Sequence, residues 1–363
     1  MREKTDRDGD QMKDVQKRPT IVDVARRAGV SIATVSRVFS GQSASEAARQ
    51  KVEEAALEMG YQAAMPRRQD PGGTGALLLV ISDLMNPYYS ALLSGAEQAA
   101  HQAGFSLMVL QPVMNGWGED TVASQVLEQS AAGAVIVGHA LEMGTTEEIR
   151  RRLSLIRQKM PIVTIGPRVE GVDCVNITSD LSLSVRKSLA HLVALGHRRI
   201  SFIGGSGGIR SSSARRRAYY EEMERLGLPA DQEMISDAGF TPQAGERAVN
   251  RLLSGADRSQ WPTAMIAIND LVALGALRQL QRMEVKVPEE MALIGCDNQF
   301  FTPYLDPPLS TVDLHPFDHG SGAVEELIAT LRGREAAYSQ IRECSLIVRE
   351  SCGAHLGVRA AQG

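Results

Sequence analysis

Residues 20–59 fall into three short blocks in which apolar side chains return with the period of a helix. In the first, Thr20 stands where an N-cap belongs, and Asp23 three positions on can reach back to it in an acidic capping box. Ile21, Val24, Ala25 and Ala28 then share one face, and Ala25 is small enough for two helices to cross closely. Gly29 offers the positive φ of a sharp turn, and Val30 plugs the corner. Ser31 caps a second helix that turns Val35 and Val38 inward and leaves Ile32, Ala33, Thr34, Ser36 and Arg37 outward. A third helix, over 45–59, starts at Ser45, buries Val52, Ala55, Ala56 and Leu57, and stops at Gly60. Together they read as an all-α three-helix head containing a helix-turn-helix, whose second helix can enter a DNA major groove.

The period changes at residue 76. Continuous apolar runs at 76–82, 105–111, 132–138, 161–166, 174–178, 199–205, 263–269, 291–296, 309–314 and 345–350 alternate with helical segments. The helices are expected near 88–103, 119–130, 145–158, 180–195, 213–226, 241–254, 270–283 and 316–332. Strands that are apolar on both sides and separated by helices belong to parallel sheets covered on both faces. About ten strands exceed one small sheet, which predicts two doubly wound α/β subdomains and a hinged clamshell. The expected boundaries are a disordered tail at 1–18, the head at 19–61, a linker at 62–75 and a core at 76–356. Within the core, one subdomain takes 76–178 and 316–335, and the other takes 179–313 and 340–356.

Composition narrows the class. The chain has 363 residues, 43% hydrophobic and 23% charged, as in a soluble globular protein. No run of about 18 apolar residues exists to span a membrane, and residues 1–18 lack the apolar stretch of a secretory signal. Cys174, Cys296, Cys344 and Cys352 form no C-x-x-C pair and the histidines no metal spacing. Reduced thiols in a cytoplasmic protein without metal or cofactor are the expectation. Net charge is −4, yet residues 17–68 carry nine basic against five acidic side chains. A basic head on an acidic body suits a protein that offers one end to phosphates.

Open α/β sheets bind ligands beyond the carboxyl ends of their strands. Asp83 with Asn86, Tyr88 and Tyr89, then Arg215, Asn269, Asp270 and Asp297, and the aromatics Phe300 and Phe301 all fall there. Carboxylates, an arginine and aromatics suit a small ligand with hydroxyls or ring nitrogens. Asn269 and Asp270 could equally cap the following helix. GGSGG at 204–208 lacks the G-K-[ST] ending of a phosphate loop and reads better as a turn opening the cleft. No nucleophile elbow, dinucleotide fingerprint or paired acid/base carboxylates are read, so nothing argues for catalysis.

The head TIVDVARRAGVSIATVSRVFSG resembles that of the LacI/GalR transcriptional regulators. The likeness continues through NPYY, LGHRRISFIGG, PTAMIAIND, VPEEMALIGCDN, PLSTVDLHP and LIVRES, over about residues 18–352. It implies a homodimeric repressor of double-stranded operator DNA. Its core would be periplasmic-binding-protein-like, controlled by a small-molecule effector, a sugar or another polar metabolite such as a purine. By position it makes Arg215 and Asp297 effector-binding, with Tyr88, Tyr89, Phe240 and Asn269 or Asp270 at other cleft positions. Asp83 joins that set, and Asp180 borders the cleft. Ile32 and Ala33 would choose bases, Ser31, Thr34, Ser36 and Arg37 make general contacts, and Thr20, Ser45 and Arg68 complete the DNA-facing set. A sugar-transport protein would need a signal peptide and has no use for the head; an enzyme would need a nucleophile, base or metal cluster.

Three departures qualify the likeness. Relatives follow the third helix with a hinge helix whose leucine wedges into the minor groove. Here Pro66 and Pro71 oppose a helix, and Asp70 takes the leucine's place. GPR at 166–168 stands where many relatives have an aspartate, and Leu181 where an asparagine is common. The hinge predicts weak operator bending, or a wedge shifted to Met65. Circular-permutation gels decide: a relative-like bend abolished by Met65→Gly establishes the shifted wedge, and its absence establishes weak bending.

Overall fold

The computed structural model describes residues 20–39, 44–59, 75–112, 119–230, 234–236, 238–255, 257–334 and 339–357. Two units separate, Met1–Gly72 and Gly73–Gly363, and each is described by itself. The expected tail, Leu57's side chain, and Met65, Pro66, Arg68, Asp70 and Pro71 of the hinge lie outside the described residues.

In the first unit, α1 (Ile21–Ala28), α2 (Ile32–Phe39) and α3 (Glu46–Met59) enclose Val24, Ala25, Val35, Val38, Val52, Ala55 and Ala56. The Asp23 carboxylate accepts from the backbone N–H of Thr20 (2.9 Å) and from its hydroxyl (2.6 Å). Gly29 ends α1 at φ 67°, a left-handed value open to glycine without steric cost. Ser31 Oγ accepts from the Thr34 N–H (3.1 Å) and so starts α2. Ser45 does the same for α3 through Ala48 (3.4 Å), and Arg27 pairs with Glu58 to tie α1 to α3.

The second unit holds two six-stranded sheets. The first orders β11-β5-β4-β3-β1-β2, all parallel, from β1 (Ala76–Val80), β2 (Ser106–Leu110), β3 (Gly133–Val137), β4 (Ile162–Ile165), β5 (Val175–Ser179) and β11 (Ser339–Arg342). The second orders β12-β10-β9-β8-β6-β7, from β6 (Ile200–Ile203), β7 (Ile235–Ser236), β8 (Ala264–Ala267), β9 (Ala292–Cys296), β10 (Ser310–Asp313) and β12 (Ser345–Ile347), with β12 alone antiparallel. The first sheet is covered by α4 (Pro87–Gln102), α5 (Glu119–Leu127), α6 (His139–Glu142), α7 (Thr146–Arg157) and α12 (Pro316–Leu331). The second is covered by α8 (Leu181–Ala194), α9 (Arg210–Arg225), α10 (Pro242–Leu253) and α11 (Asp270–Arg282). Leu77, Val135 and Val163 bury one face of the first sheet, and Leu78, Ile136 and Ile162 the other, which is why these strands read as continuous apolar runs.

The chain passes between the lobes after β5, after β10 and between β11 and β12. Two strands escape the apolar reading. β7 is two residues long, and β11, SQIR, is an edge strand whose Ile341 is exposed. Residues 340–342 therefore belong to the first sheet, a correction to the boundary that put 340–356 wholly in the second; only β12 and the residues after it belong there.

Helices α4 and α12 meet through glycines. A methyl group on Gly95 would drive into the Phe317 carbonyl, and one on Gly320 into that of Leu92. Alanine ordinarily gains about 1 kcal/mol over glycine in a helix. At Gly95 the clash should reverse the sign, and Gly95→Ala is expected to lower stability in urea unfolding by about 1–3 kcal/mol. A stabilised variant would contradict the packing.

Candidate functional site

Within each lobe the strands run 2-1-3-4-5 in chain order, and such sheets take ligands at the switch point, beyond their carboxyl ends. The two lobes turn these ends toward one cavity of about 130 Å³. From the first come Asn86 and Tyr88 after β1, Gly138 after β3, Gly166 after β4, and Ser179 closing β5. From the second come Ser211 and Arg215 after β6, Asn269 after β8, Asp297 after β9 and Leu314 after β10.

Of the effector residues expected from sequence, Tyr88, Tyr89, Arg215, Phe240, Asn269 and Asp297 line this cavity. Three do not. Asp83 closes a turn by accepting from the Met85 N–H (2.9 Å). Asp180 caps α8 through Leu183 (2.8 Å) and pairs with Arg186 (3.3 Å), while its neighbours Ser179 and Leu181 reach the cavity instead. Asp270 is fully buried, accepting from the Thr311 hydroxyl (2.6 Å) and the Gln299 N–H (2.7 Å). Phe300 lines a separate hollow beside α4. Glu142, Thr178, Ser179, Ser211 and His319 line the cavity without having been singled out. Only the His-Pro pair before α12 could have drawn attention toward His319.

Burial lifts the Asp297 carboxyl to about 7, against the pull of the Arg215 guanidinium and the Gln299 hydrogen bond. Its backbone sits at φ 110° and that of Asn298 at φ 51°, left-handed values that a non-glycine residue adopts only when its surroundings impose them. Arg215 donates to the Ile268 carbonyl (2.6 Å). Its Nε is buried with no partner among the described residues, and so is Nδ1 of His319. Burial first, then Arg342 and His315, push His319 down to about 4, so its imidazole is neutral near pH 7. Nε2 of that ring lies 3.3 Å from Ser179 Oγ. Tyr89 is raised to about 12 by burial, and Tyr88 further by burial and Asp297; the two rings meet edge-on at 5.4 Å. Asn269 caps α11 through Val272 (2.8 Å) and donates to the Phe240 carbonyl (3.1 Å), fixing that aromatic against the cavity.

GGSGG forms no anion cradle. The N–H groups of Gly204 and Gly205 are bonded to the carbonyls of Ser236 (2.9 Å) and Gly239 (2.7 Å). The run does spell G-x-S-x-G, contrary to the expectation that no such elbow exists. Yet the Ser206 hydroxyl bonds the Gly207 carbonyl (3.4 Å) and not a histidine, as a nucleophile would need. Among the described residues no cluster of metal-binding side chains occurs, and no helix is long and apolar enough to cross a membrane.

In the separate head, Ser31, Ile32, Ala33, Ser36 and Arg37 are exposed on α2 and Thr34 is half-buried. Thr20, Ser31 and Ser45 are also the three helix-capping residues. Ser31 and Thr34 hydroxyls lie 2.8 Å apart, and Arg37 Nε donates to the Ala33 carbonyl (3.3 Å).

Residues 20–63 match the model for bacterial regulatory proteins of the lacI family, and 189–352 match a periplasmic binding protein-like domain. The HTH-type transcriptional repressor CytR of Escherichia coli strain K12 is 30% identical over 335 residues, covering 92% of this chain and 96% of that protein. A complex of the transcriptional regulator CelR with cellobiose superposes with a TM-score of 0.67 at 28% identity, over 92% of this chain and all of that one. The lac repressor dimer bound to operator and the anti-inducer ONPF shares the fold at 24% identity, with a TM-score of 0.72 over 93% of this chain and 99% of that one.

The raised carboxyl of Asp297 has a measurable consequence. Between about pH 4, where an unfolded aspartate loses its proton, and about pH 7, the native group keeps it. Rising pH therefore costs the folded state stability through that window, and the loss levels off above it. Asp297→Asn removes its own share of this slope and eases that of Asp270, whose carboxyl burial and then Asp297 hold well above the ordinary aspartate range. In urea unfolding the variant should gain on the wild type between about pH 4.5 and about pH 7.5. An unchanged or opposite trend would contradict the buried placement.

Proposed function

Because this chain belongs to the lacI family of bacterial regulatory proteins, DNA-binding transcriptional regulators and not enzymes, we propose that it is a repressor acting as a homodimer on a near-palindromic operator. A small uncharged polar effector, a sugar or a related ring compound, controls its operator affinity from the interlobe cavity. The observation that carries this reading is the convergence of both lobes' strand ends on one cavity where Arg215 Nε and His319 Nδ1 remain buried and unpaired among the described residues. Such groups cost free energy until a ligand oxygen or nitrogen meets them. Glu142 and Asp297 face one guanidinium, that of Arg215, so the lining holds no surplus positive charge for a phosphate. The related CelR structure is a complex with cellobiose.

On the head, Ile32 and Ala33 are apolar and would select bases by contact with thymine methyls. Arg37 would take a guanine edge or a phosphate. One head buries too little surface for tight specific binding, which favours two on a symmetric site. A second hollow of about 500 Å³ sets Pro87, Ala91, Phe300 and Phe317 beside Asn298, Asp313, His315 and Asp318, a mixed apolar and polar face that would suit a second copy. Phe300 is 75% exposed there, and nearby in sequence Met85 is 86% exposed. Control then follows from differential affinity: the effector favours one closure of the lobes and operator DNA favours another.

A thermal-shift screen of sugars, nucleosides and nucleobases supplies the effector, and fluorescence anisotropy on the protein's promoter fragment supplies operator affinity. Arg37→Ala is expected to weaken DNA binding about tenfold with effector affinity unchanged. Arg215→Ala should bind DNA normally and lose its response to the effector. A variant at Arg215 that still responds fully would reject the cavity, and unaltered DNA binding by Arg37→Ala would reject α2 as the DNA-facing helix.

A further inference from the structure

We infer that Glu142 is a positioning residue that holds the cleft shut by capping a helix of the opposite lobe. Helix α9 begins after Ile209, whose side chain has no acceptor to offer, and no side-chain cap bond forms there. The first N–H groups of any helix lack partners within it. In α9 the backbone N–H of Ser211, its second residue, donates to Glu142 Oε2 at 2.8 Å. This is the bond that an Asp or Ser N-cap accepts from its own helix, here supplied by a carboxylate on α6, beyond β3 in the other lobe. The negative charge also sits at the positive end of the α9 dipole.

Arg210, the residue before Ser211, reaches back the other way. Its Nη2 donates to the Arg168 carbonyl (3.0 Å) and its Nη1 to that of Leu141 (3.4 Å). Three bonds thus join the start of α9 to the first lobe, with donors from one lobe and acceptors from the other. Opening the cleft breaks all three and leaves the Ser211 N–H without its acceptor. Ser211 and Glu142 both line the cavity, so a ligand oxygen entering there competes with the carboxylate for one donor. The functional meaning of this latch rests on the cavity being the effector site; its geometry does not.

The test uses the full chain without any small molecule. Amide hydrogen exchange reads the Ser211 N–H. Paired spin labels at Gln158→Cys on the first lobe and Arg217→Cys on α9, with Cys174→Ser to limit stray labelling, read the distance between lobes. Glu142→Ala should lose protection at Ser211 by about tenfold or more and lengthen or broaden the lobe-to-lobe distance. Glu142→Gln, whose amide oxygen still accepts, should keep both readouts near wild type. Arg210→Ala should shift the distance in the same direction as Glu142→Ala. Protection of Ser211 unchanged in Glu142→Ala would overturn the inference. So would lost protection with an unchanged distance, which would make Glu142 a local cap with no hold on the lobes. Because neither readout involves a ligand, a cavity that binds nothing would sink the effector reading and leave this one standing.

Discussion

A fully buried aspartate side chain, Asp270, organises the second lobe's side of the cleft. Burial first and Asp297 second hold its carboxyl well above the ordinary aspartate range, and two hydrogen bonds partly offset them, one from the Thr311 hydroxyl and one from the Gln299 N–H. Those two bonds join the start of α11 to β10 and to the loop after β9. That loop carries Asp297 and Asn298 in left-handed backbone conformations. Asn298 is pinned in turn by Asp313 (2.9 Å) and by Arg349 (2.8 Å). Asp297 can therefore present a buried carboxyl to the cavity because its neighbours absorb the strain. Asp270 does not line the cavity itself, yet the position of Asp297, which does, depends on it.

The rest of the site follows from duplicated architecture. Each lobe places a switch point between its first and third strands, and the same topology on both sides aims two sets of strand ends at one space. Three chain crossings join the lobes beside the cavity, the arrangement in which a hinge movement of one lobe against the other would change its shape. Glu142 and Arg210 bridge the lobes directly, adding a reversible set of bonds to the covalent ones.

How far the sequence discloses this depends on what fixes each residue's direction. The three helices of the head are legible because the caps at Thr20, Ser31 and Ser45, the turn glycine Gly29 and the helical period agree over the described residues. The inner strands are legible as apolar runs, whereas β11 hides because an exposed edge strand has no apolar pattern to show. Arg215 and Asp297 are legible because strand ends must face the cleft. Asn269 and Asp270 are adjacent, and one residue of helix turns a side chain by about 100°. Only packing decides that the first meets the cavity and the second Thr311. Glu142 and His319 sit on helices whose rotation is set by contacts distant in sequence, with Leu153 and Leu92 among the core residues that fix those layers. Nothing local to either residue announces its role.

Regulation of this kind is a coupling free energy between two sites, and coupling is reciprocal. The most direct measurement is effector affinity by calorimetry, with and without saturating promoter DNA, set beside DNA affinity with and without saturating effector. Reciprocal coupling makes the two ratios equal and different from one by about fivefold or more. An effector that binds the cavity with the same affinity whether or not DNA is present would contradict it.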